Sequence, residues 1–464
     1  MTTAPLWTSA EAAAATGGTA HGPGWEAFGV SIDSRTIVRG DLFVAIVGPN
    51  HDGHDYVRAA IEAGAAAALV HRVPEGCDGL PLVVVDDTMA GLEALGRASR
   101  ARSAARVVAV TGSVGKTGTK EMLALVLSQQ GATHWSAGSF NNHWGVPLSL
   151  ARMPRDARFA IFELGMNHPG ELTPLSGMVR PHVAIVTTVE AVHIAHFAST
   201  EEIADAKAEI FAGLEPDGVA ILNRDNRHFR RLSAAAAKAG ADIQSFGSHI
   251  DADARLLDCG VDPHETAVFA LIHDGAVAYR IGVPGLHWAM NSLAVLLAVR
   301  ALGGDCQAAA RALAGMTPPK GRGLRQLIKV GEGEAEIIDE SYNASPVSMK
   351  AAIATLAAAR PAKGARRIAV LGDMLELGEA GLALHAGIAA PLAEWDIDLV
   401  FACGPLMANL VDKLPADRLG GYAENSEALA PLVKAAVRAG DVVMVKGSAG
   451  SRMSRVVKSL VEGG

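Results

Sequence analysis

Cysteine is scarce: four residues in 464, at positions 77, 259, 306 and 403, with no CxxC pair among them. This excludes a disulfide framework and a cysteine-based zinc site, and it suits a reducing compartment in which the thiols serve as small core filler. No apolar run approaches the ~20 residues of a transmembrane helix. The opening MTTAPLWTSAEAAAATGG carries Glu11 and lacks the basic segment that begins a secretory signal. Positive charge is not in excess either: 41 Lys and Arg against 49 Asp and Glu leave a net charge of −8. That argues against a general nucleic-acid or membrane-surface binder, while leaving room for an anionic nucleotide held by local donors. The expectation is a cytoplasmic monomer with no nucleic-acid and no membrane partner.

What is present is small and apolar. Half the residues are hydrophobic, only 5% are aromatic, and there are 50 glycines. This composition suits closely packed α/β layers, and the length suits two to four domains at roughly 100–200 residues each. Residues 42–47, 66–70 and 82–85 read as buried strands, with a helix at 56–65 between the first two. Further strands are expected at 107–110, 159–162, 183–189 and 219–222. Short antiparallel strands follow at 254–259, 265–273 and 276–281, then a long helix at 286–302. The Thr-Pro-Pro-Lys-Gly-Arg-Gly stretch at 317–323 is a strong breaker. Beyond it, strands are expected at 337–338, 368–371, 399–402 and 442–445. The fold class is α/β, as three tandem units covering 1–104, 105–318 and 319–464.

The most informative segment is VVAVTGSVGKTGTK at 107–120. An apolar strand breaks into a glycine turn, and Gly115-Lys116-Thr117 opens a segment with helical spacing (Met122, Leu123, Val126, Leu127). Unpaired amides and the positive end of the helix dipole make such a junction a phosphate cradle. Gly112, Ser113, Val114 and Gly115 supply the loop, Lys116 reaches terminal phosphates, and the Thr117 hydroxyl suits Mg²⁺. In open α/β sheets ligands sit outside the carboxyl ends of the strands. Glu163 ends one such strand, and Glu190 with His193 follows another. Glu163 suits a hard cation but also reads as a solvated strand end. By spacing alone, Lys207 reads as a surface residue of a helix at 201–211. Asp339 suits a ribose hydroxyl or a helix cap equally.

In this order the pieces resemble the Mur ligase family over nearly the whole chain. The matching segments include Asp33-Ser34-Arg35, Asp52-Gly53-His54, Thr111 to Thr117, Asn141-Asn142 and Glu163-Leu164-Gly165. They continue with Ala206 to Phe211, His287 with Asn291, Gly321-Arg322, Asp339 to Ala344, Gly372 to Gly378 and Lys446-Gly447-Ser448. The branch resembled adds D-alanyl-D-alanine to UDP-N-acetylmuramoyl-tripeptide, and the Asp-Asn-Pro-Arg signature of the diaminopimelate-adding branch is absent. The resemblance implies a UDP-substrate domain, a central P-loop ATPase domain with a mainly parallel sheet, and a C-terminal Rossmann-like domain. It implies ATP and two Mg²⁺ as cofactors, with Thr117, Glu163, His193 and a carbamylated Lys207 as metal ligands. Lys116, Lys207, His193 and Glu163 would then be catalytic. Asn291 would contact adenine, Asp339 ribose, and Arg322 the nucleotide from the hinge. Ser34 and Arg35 would meet UDP, Asn141 and Asn142 the substrate in the cleft, and Tyr342, Asn343 and Lys446 the dipeptide side. The alternatives are a sibling ligase such as a folylpolyglutamate synthase, and a nucleotide-binding regulator without chemistry.

Overall fold

The computed structural model describes residues 4–191, 197–273 and 275–462. In the first stretch of chain, five strands run in the order Thr19–His21, Leu82–Val84, Ala67–Val70, Asp41–Val44, Gly29–Ser31. All pairs are parallel except the one made by the edge strand Thr19–His21. The strand expected at 42–47 stops at Val44, and Val47 instead bridges to Asp52. One face of this sheet packs Trp7, Trp25, Leu42, Val44, Leu69 and Leu92 together with Leu148 and Ala151 from much later in the chain. The indole of Trp7 donates to the Ala151 carbonyl at 3.0 Å, and the guanidinium of Arg152 donates to the Val30 carbonyl at 2.5 Å.

The middle stretch builds a nine-stranded sheet around the strand Arg106–Thr111. That strand lies between Phe159–Glu163 and Val183–Val186, parallel to both. Val107 and Ala109 face one core, and Val108 and Val110 the other, so the run is apolar throughout because both faces are covered. Val219–Asn223 and Asp242–Gly247 extend the parallel array. The expected antiparallel strands appear as Ala254–Val261, Thr266–Ile272 and Gly275–Ile281, and they continue this same sheet at its edge. The registers align Glu163 with Val110, and Val186 with both Thr111 and Leu222, so the strand ends share one rim.

The third stretch forms a six-stranded sheet in the order Leu324–Val330, Gly333–Glu340, Val442–Lys446, Arg367–Gly372, Leu399–Cys403, Leu419–Ala423. Only the first pair is antiparallel. The registers set Asp339 beside Val445 and Glu340 beside Lys446, at the end of the sheet that carries the polar residues.

Candidate active site

The phosphate loop is built by two glycines that no other residue can replace without movement. Gly112 has φ +146°, and a Cβ there would lie 1.9 Å from the Thr187 hydroxyl. Gly115 has φ +88°, and a Cβ there would lie 2.7 Å from the Asn291 side-chain nitrogen. Between them the loop is tied to the segment after Val183–Val186. The Ser113 amide donates to the Thr188 carbonyl at 2.8 Å, and its hydroxyl donates to the Glu190 carbonyl at 3.0 Å. The Thr187 hydroxyl donates to the Val114 carbonyl at 2.6 Å. The helix Lys116–Ser128 starts immediately after Gly115 and has no side-chain cap. Its first-turn amides therefore point out unsatisfied by the helix itself, which is the geometry of an anion site. The Lys116 ammonium folds back on the loop, 2.6 Å from the Gly112 carbonyl oxygen. Burial lowers its pKa; Glu163 opposes that shift and Arg322 adds to it.

Below the loop, Glu163 is almost fully buried and both of its oxygens are engaged. The Thr117 hydroxyl donates to Oε2 at 2.8 Å and the Asn141 amide to Oε1 at 2.8 Å. Asn141 is itself held by its carbonyl, which accepts from the Gly165 amide at 2.8 Å. A Cβ at Gly165 would approach the Asn141 side chain to 2.8 Å, so close passage requires glycine there. Asn142 is turned the other way: its side-chain oxygen accepts from Gly145 at 2.9 Å at the start of the helix Gly145–Ala151. Among the described residues no three His, Cys, Asp or Glu converge. A hydroxyl beside a buried carboxylate is an all-oxygen donor pair and fits a hard divalent cation rather than zinc.

Lys207 sits on the helix Thr200–Ala208, capped by Ser199, and is only 3% exposed. The expected helix over 201–211 tightens after Ala208 into the 3-10 turn Glu209–Gly213, and Glu209 turns away to cap the neighbouring helix at Leu172 and Thr173. Among the described residues the Lys207 ammonium has neither hydrogen-bond nor ion-pair partner. Burial drives its pKa well below the usual lysine value, and the Lys116 charge pushes it further down. The surface reading allowed by its spacing is therefore overturned: its face of the helix is turned inward. His193, expected beside it, lies outside the described residues.

The other expected residues fall into two groups. Asn291, on the helix Leu286–Ala301, packs on the loop at Gly115, and Trp288 on the same helix packs near Gly118. Arg322 stacks 4.1 Å over the Tyr342 ring, with its charge felt at Lys116. Asp339 is buried, and its Oδ1 accepts the Ser341 hydroxyl at 2.6 Å; the following helix is capped by Ser345, so a helix cap does not describe Asp339. Lys446 donates to Glu340 at 3.2 Å and to the Asn343 carbonyl at 3.0 Å. Burial lowers the His287 pKa; Glu340 opposes the shift and Lys446 reinforces it, so the polar end of the third sheet faces the middle unit. Ser34 and Arg35 stand apart, in an exposed 3-10 turn. Arg35 pairs with Asp33 at 2.7 Å, and its hydrogen bonds hold the Asp33 carboxyl at about 2. Among the described residues no hydrogen bond or ion pair joins them to the phosphate loop. Two features were not anticipated: the role of Asn141 as a donor to Glu163, and the fully buried Lys120, whose place one turn beyond Thr117 was the only signal.

The chain is similar to known proteins over nearly its whole length. Family models match residues 27–95 (Mur ligase family, catalytic domain), 110–299 (Mur ligase middle domain) and 325–449 (Mur ligase, glutamate ligase domain). A UDP-N-acetylmuramoyl-tripeptide–D-alanyl-D-alanine ligase of Bacillus subtilis is 36% identical, over 94% of this chain and 93% of that protein. The crystal structure of MurF from Acinetobacter baumannii superposes with a TM-score of 0.85 at 28% identity, covering all of both chains. The MurF ligase of Thermotoga maritima in complex with ADP gives 0.76 at 26% identity, over 93% of this chain and 96% of that one. Matched in order by three Mur ligase models and 36% identical to a relative over 94% of its length, the chain belongs to the Mur ligase family.

Proposed function

We propose that this chain is an ATP-dependent amide-bond ligase that adds D-alanyl-D-alanine to UDP-N-acetylmuramoyl-tripeptide in peptidoglycan precursor synthesis. The observation that carries the reading is the half-buried Lys116 with the buried Thr117, Glu163 and Lys207 beneath a glycine-shaped loop, in a chain that aligns over 94% of its length with a ligase of that name. A carboxylate resists attack by an amine, so the γ-phosphoryl group of ATP is first transferred to it. The amine of the dipeptide then displaces phosphate from the acyl phosphate. Catalysis of this kind is mostly positioning and charge neutralisation.

Each residue has a task within that scheme. The amides from Gly112 to Thr117 hold the phosphates, and Lys116 neutralises charge on the transferred group. Thr117, Glu163, His193 and Lys207 hold Mg²⁺, two ions in all. When bound, Mg²⁺ supplies charge that lets two oxyanions approach. Lys207 suits carbamylation because the reaction needs a neutral amine, and burial together with Lys116 favours one. Asn291 meets adenine, Asp339 the ribose, and Arg322 the phosphates from the hinge. Residues 1–104 take the UDP end through Ser34 and Arg35, 105–318 the nucleotide, and 319–464 the dipeptide near Tyr342, Asn343 and Lys446. Asn141 and Asn142 border the substrate cleft. The enzyme works as a monomer in the cytoplasm, where ATP and UDP-linked sugars are found. No helix among the described residues is long and apolar enough to cross a membrane.

The test is phosphate release from ATP with UDP-N-acetylmuramoyl-tripeptide, with and without D-alanyl-D-alanine. Release that depends on the dipeptide and yields the pentapeptide product is expected. Absence of dipeptide-dependent release would overturn the assignment.

A further inference from the structure

Lys120 is completely buried on the inner side of the helix Lys116–Ser128. Full burial is rare for lysine, and a buried ammonium is costly unless its protons are matched. Here the ammonium donates to the Ser136 carbonyl at 2.8 Å and the Gly138 carbonyl at 2.7 Å, and the Glu121 carboxylate lies 2.7 Å away as an ion-pair partner. A leucine or methionine would fill the same space without that desolvation cost, so packing alone does not explain the residue. What lysine adds is a tether. It joins the phosphate-loop helix, one turn past Thr117, to the loop that runs from Ser136 to Asn141. That loop leaves the sheet where the Ser136 amide donates to Ile161 at 3.0 Å and turns through Gly138 at φ +51°. It ends on Asn141, which donates to Glu163 Oε1 while Thr117 donates to Oε2.

We propose that Lys120 is a positioning residue for the nucleotide's divalent cation: by pinning residues 136–138 it holds Asn141 against Glu163, and so presents the carboxylate beside the Thr117 hydroxyl. The proposal rests on the reading above that Thr117 and Glu163 hold Mg²⁺. Side chains that orient metal ligands typically set metal affinity over a 10–100-fold range.

The experiment measures ADP affinity by calorimetry in excess Mg²⁺ and again in EDTA, for wild type, Lys120→Met and Glu121→Gln. In Lys120→Met the strengthening of ADP binding by Mg²⁺ is expected to shrink about ten-fold, while the affinity in EDTA, carried by the loop amides and Lys116, stays nearly constant. Glu121→Gln leaves an oxygen for the ammonium but removes the charge that pairs with it, at a partly exposed position, and should show the same change more weakly; it decides the matter if Lys120→Met fails to fold. Asn141→Ala should reproduce the loss, and adding Lys120→Met to it should bring little more. Equal weakening with and without Mg²⁺ would mark a purely structural role and overturn the proposal, as would an unchanged ratio. Nucleotide binding needs no acceptor substrate. A wild type that binds Mg·ADP but fails to join the tripeptide and dipeptide would sink the ligase assignment and leave this inference standing. Wild-type ADP binding indifferent to Mg²⁺ would remove the cation site and the proposal with it.

Discussion

Replacing Lys207 by methionine should make the protein more stable, by an amount that depends on pH in a defined way. In the folded chain the amine has lost water, has no described partner and feels Lys116, so its pKa lies well below the ordinary value. In the unfolded chain it returns to about 10.4. Between those two values the unfolded state binds a proton that the native state does not. Stability then rises with pH by about 1.4 kcal/mol per unit from this group alone. The contribution is most unfavourable below the native value and vanishes above the unfolded one. Lys207→Met keeps the bulk and removes the titration, and every other ionisable group cancels in the difference between the two proteins. The stability advantage of the variant should therefore be largest at low pH and shrink by about 1.4 kcal/mol per unit as pH climbs toward 10. The assay is urea unfolding of both proteins, in buffer freed of carbon dioxide, in half-unit steps on the alkaline side. A difference that stays flat with pH would mean that Lys207 keeps its proton in the fold, and the neutral-amine argument would fail. Adding bicarbonate should stabilise only the wild type; no response would count against the carbamate.

Lys116→Ala should abolish ATP-dependent ligation while UDP-N-acetylmuramoyl-tripeptide still binds, and near-normal turnover would show the phosphate site to be elsewhere. Gly112→Ala drives a Cβ to within 1.9 Å of the Thr187 hydroxyl. It should cost about 1–3 kcal/mol of stability and most of the ADP affinity, and unimpaired binding by calorimetry would refute the loop geometry. Arg35→Ala, at an exposed ion pair, should leave the melting temperature unchanged and weaken binding of uridine diphosphate; unchanged affinity would remove Arg35 from the substrate surface. Lys446→Met should raise the KM for D-alanyl-D-alanine without altering ADP affinity, and the reverse pattern would place Lys446 on the nucleotide side.

The phosphate loop was readable because everything it needs is local: an apolar strand, a glycine turn and a helical repeat follow one another within 107–127. Strand-end acids such as Glu163 were readable for the same reason, since an apolar run that stops at a carboxylate marks a rim. Lys207 was not, because helical spacing shows which residues share a face and not which face is covered. Its inward turn depends on packing against the distant residues of the middle core. Lys120 failed in the same way, its two hydrogen-bond partners lying 16 and 18 residues away in a loop with no pattern of its own. The strands Leu324–Val330 and Leu419–Ala423 were missed because edge strands of this sheet are mostly half-exposed and carry charged or glycine residues where a buried strand would carry valine.

The shared seam between the first two stretches of chain has a mechanical meaning. Leu148 and Ala151 complete a hydrophobic layer that the early residues begin, and Trp7 and Arg152 stitch it from both sides. A fragment ending near residue 104 would expose to water the apolar side chains that Leu148 and Ala151 cover, and should misfold or clump. Residues 1–104 and the start of the middle stretch are thus one folding unit and not two beads on a string. No such layer is needed across the Pro- and Gly-rich strap at 317–323, where Arg322 lies over the Tyr342 ring.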